Sequence, residues 1–173
     1  MFRRSVLAFG LLQTVDLRLP LFRRRRERSL YDVVAQTPDF SLWKRVVDDS
    51  GLAALLAGQH PLTIFVPTDD AFAGLPADVR VVRRESQEQR RRRLEAIVRD
   101  HMLAGVHRPA EIAAGRDDYP TLGAGTMSFS SVGTRSLTVE WTSAIGSEGA
   151  AITDLPIEAV NGLLYVISKV FIA

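Results

Sequence analysis

The chain has 173 residues, no cysteine, and 22 basic against 20 acidic residues, for a net charge of +2. This length suffices for one domain with a true hydrophobic core, and the missing cysteine excludes disulfides, thiolate catalysis and cysteine-ligated zinc. Charge is unevenly placed: residues 1–28 hold eight arginines against Asp16 and Glu27, a balance of +6, which leaves −4 on the remainder.

Residues 1–28 read as a basic leader or arm, separate from a single domain over 29–173. Arg3-Arg4-Ser5-Val6-Leu7 resembles a twin-arginine export start, followed by an apolar run from Val6 to Leu12. Asp16 and Arg18 interrupt that run and no small-residue cleavage site follows. The segment is therefore a degenerate export signal or a membrane-surface arm, in which Arg23 to Arg26 would suit acidic headgroups. It shows no amphipathic pattern continuous with the domain and is expected to add nothing to the core.

The domain opens at Ser29, a cap three residues before Asp32, with Leu30, Val33 and Val34 marking a helical stripe. A second helix starts at Asp39 or Ser41, buries Phe40, Trp43, Val46 and Val47, and ends at Gly51. Leu52, Leu55 and Leu56 form a third, short one before Gly58. Leu62 to Val66 has the β-branched and aromatic composition of a buried strand, and Pro67 ends it. Thr68 caps the next helix, with Asp69 and Asp70 in its first turn.

A basic connection, Ala77 to Arg84, leads to the longest helix. Ser86 and Gln89 form its capping box, and Leu94, Ile97, Val98 and His101 share one face. Arg90 to Arg93 precede that stripe; Glu88 can pair with Arg92, and Glu95 with Arg91 or Arg99. Pro109 to Ala114 suits one helical turn. Strands follow over Thr126 to Val132, Leu137 to Trp141, Ala150 to Thr153 and Ile157 to Val160. Asn161-Gly162 signals a hairpin, since both central residues of a type I′ turn need positive φ. Beyond it, Leu163, Tyr165 and Ile167 alternate with Leu164 and Val166. Helices first and strands later predict an α+β domain.

The wording of two segments also resembles a known family. Thr63-Ile64-Phe65-Val66-Pro67-Thr68-Asp69-Asp70-Ala71-Phe72-Ala73-Gly74-Leu75-Pro76 is similar to the first signature of the fasciclin domain, and Asn161 to Phe171 resembles the second. Between them, Asp100-His101 and Gly105 fall where the family has a Tyr-His pair and a glycine. Order and spacing agree over roughly residues 29–172. The resemblance implies a wedge-shaped β-sandwich of about seven strands with helices packed along one edge. It also implies that the two signatures lie on neighbouring central strands.

No nucleophile elbow, glycine-rich phosphate loop or His-Glu-x-x-His pair occurs. His101 and His107 are six apart, poor spacing for two metal ligands on one helix. No enzyme activity, cofactor or metal is therefore expected, and a net-acidic domain offers no coherent face for nucleic acid. What the resemblance implies is an extracytoplasmic adhesion or binding module, periplasmic, secreted or at the cell surface, meeting protein or polysaccharide. The alternative is a carrier of a small apolar ligand, lipid or pigment, in a helix–sheet cleft. In animal members, adhesion is assigned to the Tyr-His region and to an Asp-Ile pair before the second signature. Here Asp100 stands for the tyrosine, Pro156-Ile157 for the Asp-Ile pair with Asp154 two residues early, and Tyr165 for a usual histidine. The candidate partner contacts are thus His101, Asp154, Ile157 and Tyr165. Arg90, Arg91, Arg92 and Arg93 are candidates toward anionic polymer or lipid headgroups. His101 also has a purely structural role open to it, as a hydrogen-bonded core histidine.

Overall fold

The computed structural model describes residues 28–75, 85–114, 118–132, 136–144 and 146–172. The leader before Arg28, the connection Ala77 to Arg84 and the turn expected at Gly133 lie outside them.

Three helices come first: α1 (Leu30–Gln36), α2 (Ser41–Ser50) and α3 (Ala53–Ala57). The capping box expected at Ser29 forms in both directions with Asp32. Gly51, at φ 80°, ends α2 in the left-handed conformation that glycine adopts at no steric cost. Strand β1 (Leu62–Pro67) is buried along its whole length and runs into α4 (Asp69–Ala73), capped by Thr68. Asp69 stands in the first turn of α4, as expected, and also serves a neighbouring helix. Its carboxylate accepts from Ser41 Oγ at 2.6 Å and Leu42 N at 2.9 Å, and so satisfies the start of α2, where Phe40 has no capping side chain.

The long helix α5 (Gln87–Asp100) begins at the Ser86–Gln89 capping box. It is followed by β2 (Met102–Ala104), α6 (Pro109–Ala113), β3 (Tyr119–Pro120), β4 (Thr126–Val132), β5 (Ser136–Ser143), β6 (Gly146–Ile152), β7 (Ile157–Ala159) and β8 (Gly162–Ile167). Strands β2 and β3 have no counterpart in the sequence pattern, and β6 starts four residues before the strand expected at Ala150.

The two signature segments do lie side by side: β1 pairs with β8 in parallel, Leu62 opposite Gly162 through Pro67 opposite Ile167. The architecture departs from two stacked sheets. A single path runs β2-β1-β8-β6-β5-β4-β3, with β7 on β8. Its narrowest join is where β6 meets β8 at one pair, Ile152 opposite Ile167. At the far end a bridge between Leu103 and Thr121 brings the β2 and β3 edges together. The sheet is thereby nearly closed into a barrel rather than a sandwich.

Two apolar layers result. Phe65, Leu103, Phe129, Trp141, Tyr165 and Phe171 fill the inside of the curved sheet. Ile64, Val66, Leu164 and Val166 point to the other face, against Val33, Trp43, Val47 and Val98 of the helices. Alternation along β1 and β8 therefore divides one run of residues between two cores, which explains why both strands are buried throughout.

Asp100 holds the closure together. It is buried, and its Oδ1 accepts from Thr121 Oγ1 at 2.9 Å, Ala124 N at 2.9 Å and Gly125 N at 3.0 Å. The aspartate that replaces the family's tyrosine is thus an internal clamp between the end of α5 and the β3–β4 loop.

The β7–β8 hairpin corrects the expected turn. Ala159 pairs with Gly162, so the loop residues are Val160 and Asn161, one place earlier than the Asn-Gly signal suggested. Buried Asn161 serves as a bracket instead: Oδ1 accepts from Leu30 N at 2.8 Å, while Nδ2 donates to Leu56 O at 2.8 Å and Gly58 O at 2.7 Å. Its own carbonyl accepts from Leu62 N. One side chain thus satisfies the start of α1 and the end of α3, groups that a helix terminus leaves open.

Candidate functional site

The sequence-derived contacts separate into buried and exposed groups. His101 is fully buried at the C-cap of α5, its ring 4.8 Å from that of Trp43 and 4.9 Å from that of Phe171. Nδ1 faces Ile97 O at 2.7 Å, and Phe171 N–H donates to Nε2 at 3.1 Å. A carbonyl only accepts and an amide N–H only donates, so the ring is neutral with its proton on Nδ1. Burial pushes its pKa down to about 4, against the smaller opposing pull of the Ile97 carbonyl and Asp100. With both nitrogens engaged and no exposed surface, His101 offers nothing for a partner to touch.

Tyr165 is also interior. Its ring stacks on Phe65 at 5.4 Å, and its hydroxyl donates to His107 O at 2.8 Å. Burial pushes its pKa up to about 12. The native phenol therefore keeps its proton to about pH 12 while the unfolded one ionises from about pH 10. Stability from this group is complete below pH 10 and is lost as pH rises to 12. Tyr165→Phe should cost about 1 kcal/mol at neutral pH, for one hydrogen bond and an unpaired carbonyl. It should also flatten that alkaline decline; urea melts of both proteins from pH 8 to 12 check it, and parallel curves would contradict the assignment.

Arg90 to Arg93 are on the outer side of α5 and each has an acidic partner. Arg90 pairs with Asp49 of α2 at 2.9 Å, Arg91 and Arg92 share Glu88 at 3.5 and 2.8 Å, and Arg93 meets Glu85 at 2.9 Å. Glu95 pairs with Arg99. Four arginines against three carboxylates leave an excess of about one charge there, a solvated helix start more than a polyanion site.

The exposed candidates gather elsewhere. Asp154 is exposed and Ile157 half-buried, on either side of Leu155, which is 86% exposed. Val160 at 49% and Val106 at 38% line a surface groove of about 260 Å³ together with Pro61, Arg108, Glu158 and Leu163. Arg108 and Glu158 face each other across it at 3.7 Å. Three of the four large apolar side chains exposed among the described residues thus flank β7 or its groove; Leu42 is the fourth. Val106 and Arg108 carry no signal in the sequence, because a lone valine between Gly105 and Pro109 matches no period.

Among the described residues no group of three His, Asp or Glu side chains could hold a metal. The layer between helices and sheet is filled by core side chains, and the groove is smaller than the 300–1,000 Å³ usual for ligand pockets. Among the described residues no helix is long and apolar enough to cross a membrane.

Comparison with known proteins agrees with this architecture. The sequence resembles Protein sll1483 of Synechocystis sp. (strain ATCC 27184 / PCC 6803 / Kazusa), with 26% identity over 144 residues, 83% of this chain and 73% of that protein. The fold matches a FAS1 domain pair from the insect cell adhesion molecule fasciclin I with a TM-score of 0.66 at 14% identity. That match covers 84% of this chain but spans about half, 51%, of the pair. The Fasciclin domain family model matches residues 38–173, and the chain belongs to the fasciclin domain family.

Proposed function

We propose that the protein is a non-enzymatic binding module of the adhesion type, working outside the cytoplasm, and that β7 with its flanking groove is its contact surface. Fasciclin domains are generally binding modules at cell surfaces, and the matched domain pair comes from an insect cell adhesion molecule. The observation that carries the assignment is the cluster of Leu155, Val160 and Val106, apolar side chains left in water around one short edge strand beside Asp154 and Ile157. Exposed apolar residues gathered on one patch with a charged rim mark contact sites. The partner such a surface fits is protein, or polysaccharide presenting an apolar sugar face. Anionic polymer or headgroup binding at Arg90 to Arg93 is the weaker component, given the carboxylates that already hold those side chains.

The full chain coated on beads should retain them on envelope surfaces of its own host under flow. The double variant Leu155→Glu, Val160→Glu should lose most of that retention, with an unchanged thermal melt because both positions are exposed. Leu42→Glu, on the helical side, should behave as the parent. Equal retention by all three proteins would refute the assignment.

A further inference from the structure

We infer that the outer edge of β6, at Ser147 and Gly149, takes an added strand from a partner protein: an extended peptide carrying two adjacent basic side chains. This goes beyond the surface proposed above, since β7 pairs with β8 at Gly162 to Leu164 whereas β6 meets it at Ile167. Parity along β6 gives the first support. Ser168 N–H donates to Ala151 O and Thr153 N–H donates to Val166 O, both at 3.0 Å, so the odd-numbered peptide groups here face away from β5. The register with β5 is unbroken from Gly146 to Ile152, so Ser147 and Gly149 turn their N–H and C=O outward in the same way. Strand β8 ends at Ile167, no other described strand pairs with β6 on that side, and residues 146–149 are all exposed. Donors and acceptors thus stand in line where a neighbouring strand would run, and such an edge is open to strand addition.

Charge selects the occupant. Glu140 of β5 stands opposite Gly149 and accepts from Ser147 Oγ at 2.7 Å, so its carboxylate reaches over β6 on the face where the glycine has no side chain. Glu148 projects to the other face, because neighbours on a strand alternate. Both are exposed, and neither is ion-paired among the described residues. An added strand sends successive side chains to the two faces as well, so two consecutive cations would meet the two carboxylates, one on each face. A second copy does not fit. Pairing Ser147 with Gly149 of another β6 sets the two Glu148 side chains directly opposite each other, and like charges facing across strands repel. A Cβ at Gly149 meets nothing within 4 Å, which leaves an incoming backbone unhindered.

The probe is a fluorescent peptide of about eight residues, threonine and valine with two adjacent lysines at its centre, and a twin with two glutamates instead. By anisotropy, the full chain should bind the lysine peptide at least about tenfold tighter than its twin. Gly149→Pro removes an outward N–H at a position where an edge strand tolerates proline, and should weaken binding at least about tenfold. Gly149→Ala should bind as the parent does. Glu140→Gln combined with Glu148→Gln should erase the preference between the two peptides. In the parent, amide exchange at Ser147 and Gly149 should slow when the lysine peptide is added, while Glu148, whose N–H faces β5, should not change; this measurement needs no variant to fold. No binding of the lysine peptide, full binding by Gly149→Pro, or slowing that spares Ser147 and Gly149 would overturn the inference. A lysine preference undiminished in the double glutamine variant would overturn the role given to the carboxylates. Leu155→Glu with Val160→Glu should bind the peptide as the parent does, so this result and bead retention fail independently.

Discussion

Gly162→Ala should destabilise the fold by about 3 kcal/mol or more, the upper range for forcing volume into a packed site. The position opens β8 at the point where it meets β1. A Cβ built there would fall inside the contact distance of Leu62 O and crowd Leu30 as well. The obstacle is backbone, and that backbone is held: Leu62 N–H donates to Asn161 O, and Leu62 pairs with Gly162 in the parallel ladder. Relief would require separating the two strands that divide the cores. The φ of 155° adds strain, since L-residues rarely adopt it. Gly149→Ala supplies the comparison, because a Cβ there meets nothing within 4 Å and φ is ordinary. That substitution should stay within about 0.5 kcal/mol of the parent. Chemical unfolding of the two variants decides the matter. Similar midpoints would mean that β1 and β8 can part at Leu62 without cost, which would undermine the packing described for both layers.

The same position shows how far the sequence could be read. An Asn-Gly pair between apolar runs announced a hairpin, and a hairpin is there, but its loop is Val160-Asn161. The glycine is required by the close approach of β1, a contact about 100 residues away in sequence and invisible to any local rule. Capping boxes at Ser29 and Ser86, the Thr68 cap and the stripe of α5 were legible because each depends on residues three or four apart. Strand β2 was missed because three residues between a buried helix end and Gly105 have no period to measure. The first half of β6, Gly146 to Gly149, is exposed and lacks apolar alternation; pairing with β5 alone makes it a strand. Closure of the sheet by Asp100 is long-range in the same way. For the proposed contact surface, Asp154 and Ile157 were candidates through family resemblance, whereas Val106 and Val160 came in only once the turn and the groove placed them together.

Acidification from pH 6.5 to 4 should remove about 3 kcal/mol of stability through His101 alone. The value follows from a native pKa of about 4 set against an ordinary 6.5, at about 1.4 kcal/mol per unit. The sign is fixed by which state binds the proton. Below pH 6.5 the unfolded histidine protonates while the buried one does not, so the unfolded state gains. The contribution is complete above pH 6.5, declines as pH falls, and levels off below pH 4. Structure supplies the cause. A proton on Nε2 would displace the Phe171 N–H and leave that donor unpaired, and it would place a charge between the rings of Trp43 and Phe171. The Asp100 carboxylate next to it offsets only part of this, because its Oδ1 is committed to Thr121, Ala124 and Gly125. The comparison is made against His101→Asn, which keeps a donor and an acceptor but has no group to titrate. That variant should be less stable at pH 7 and should close most of the gap to the parent by pH 4. Urea midpoints at half-unit steps measure the gap, and a separation that stays constant across the window would show that His101 titrates normally and that the Phe171 hydrogen bond does not hold its proton off.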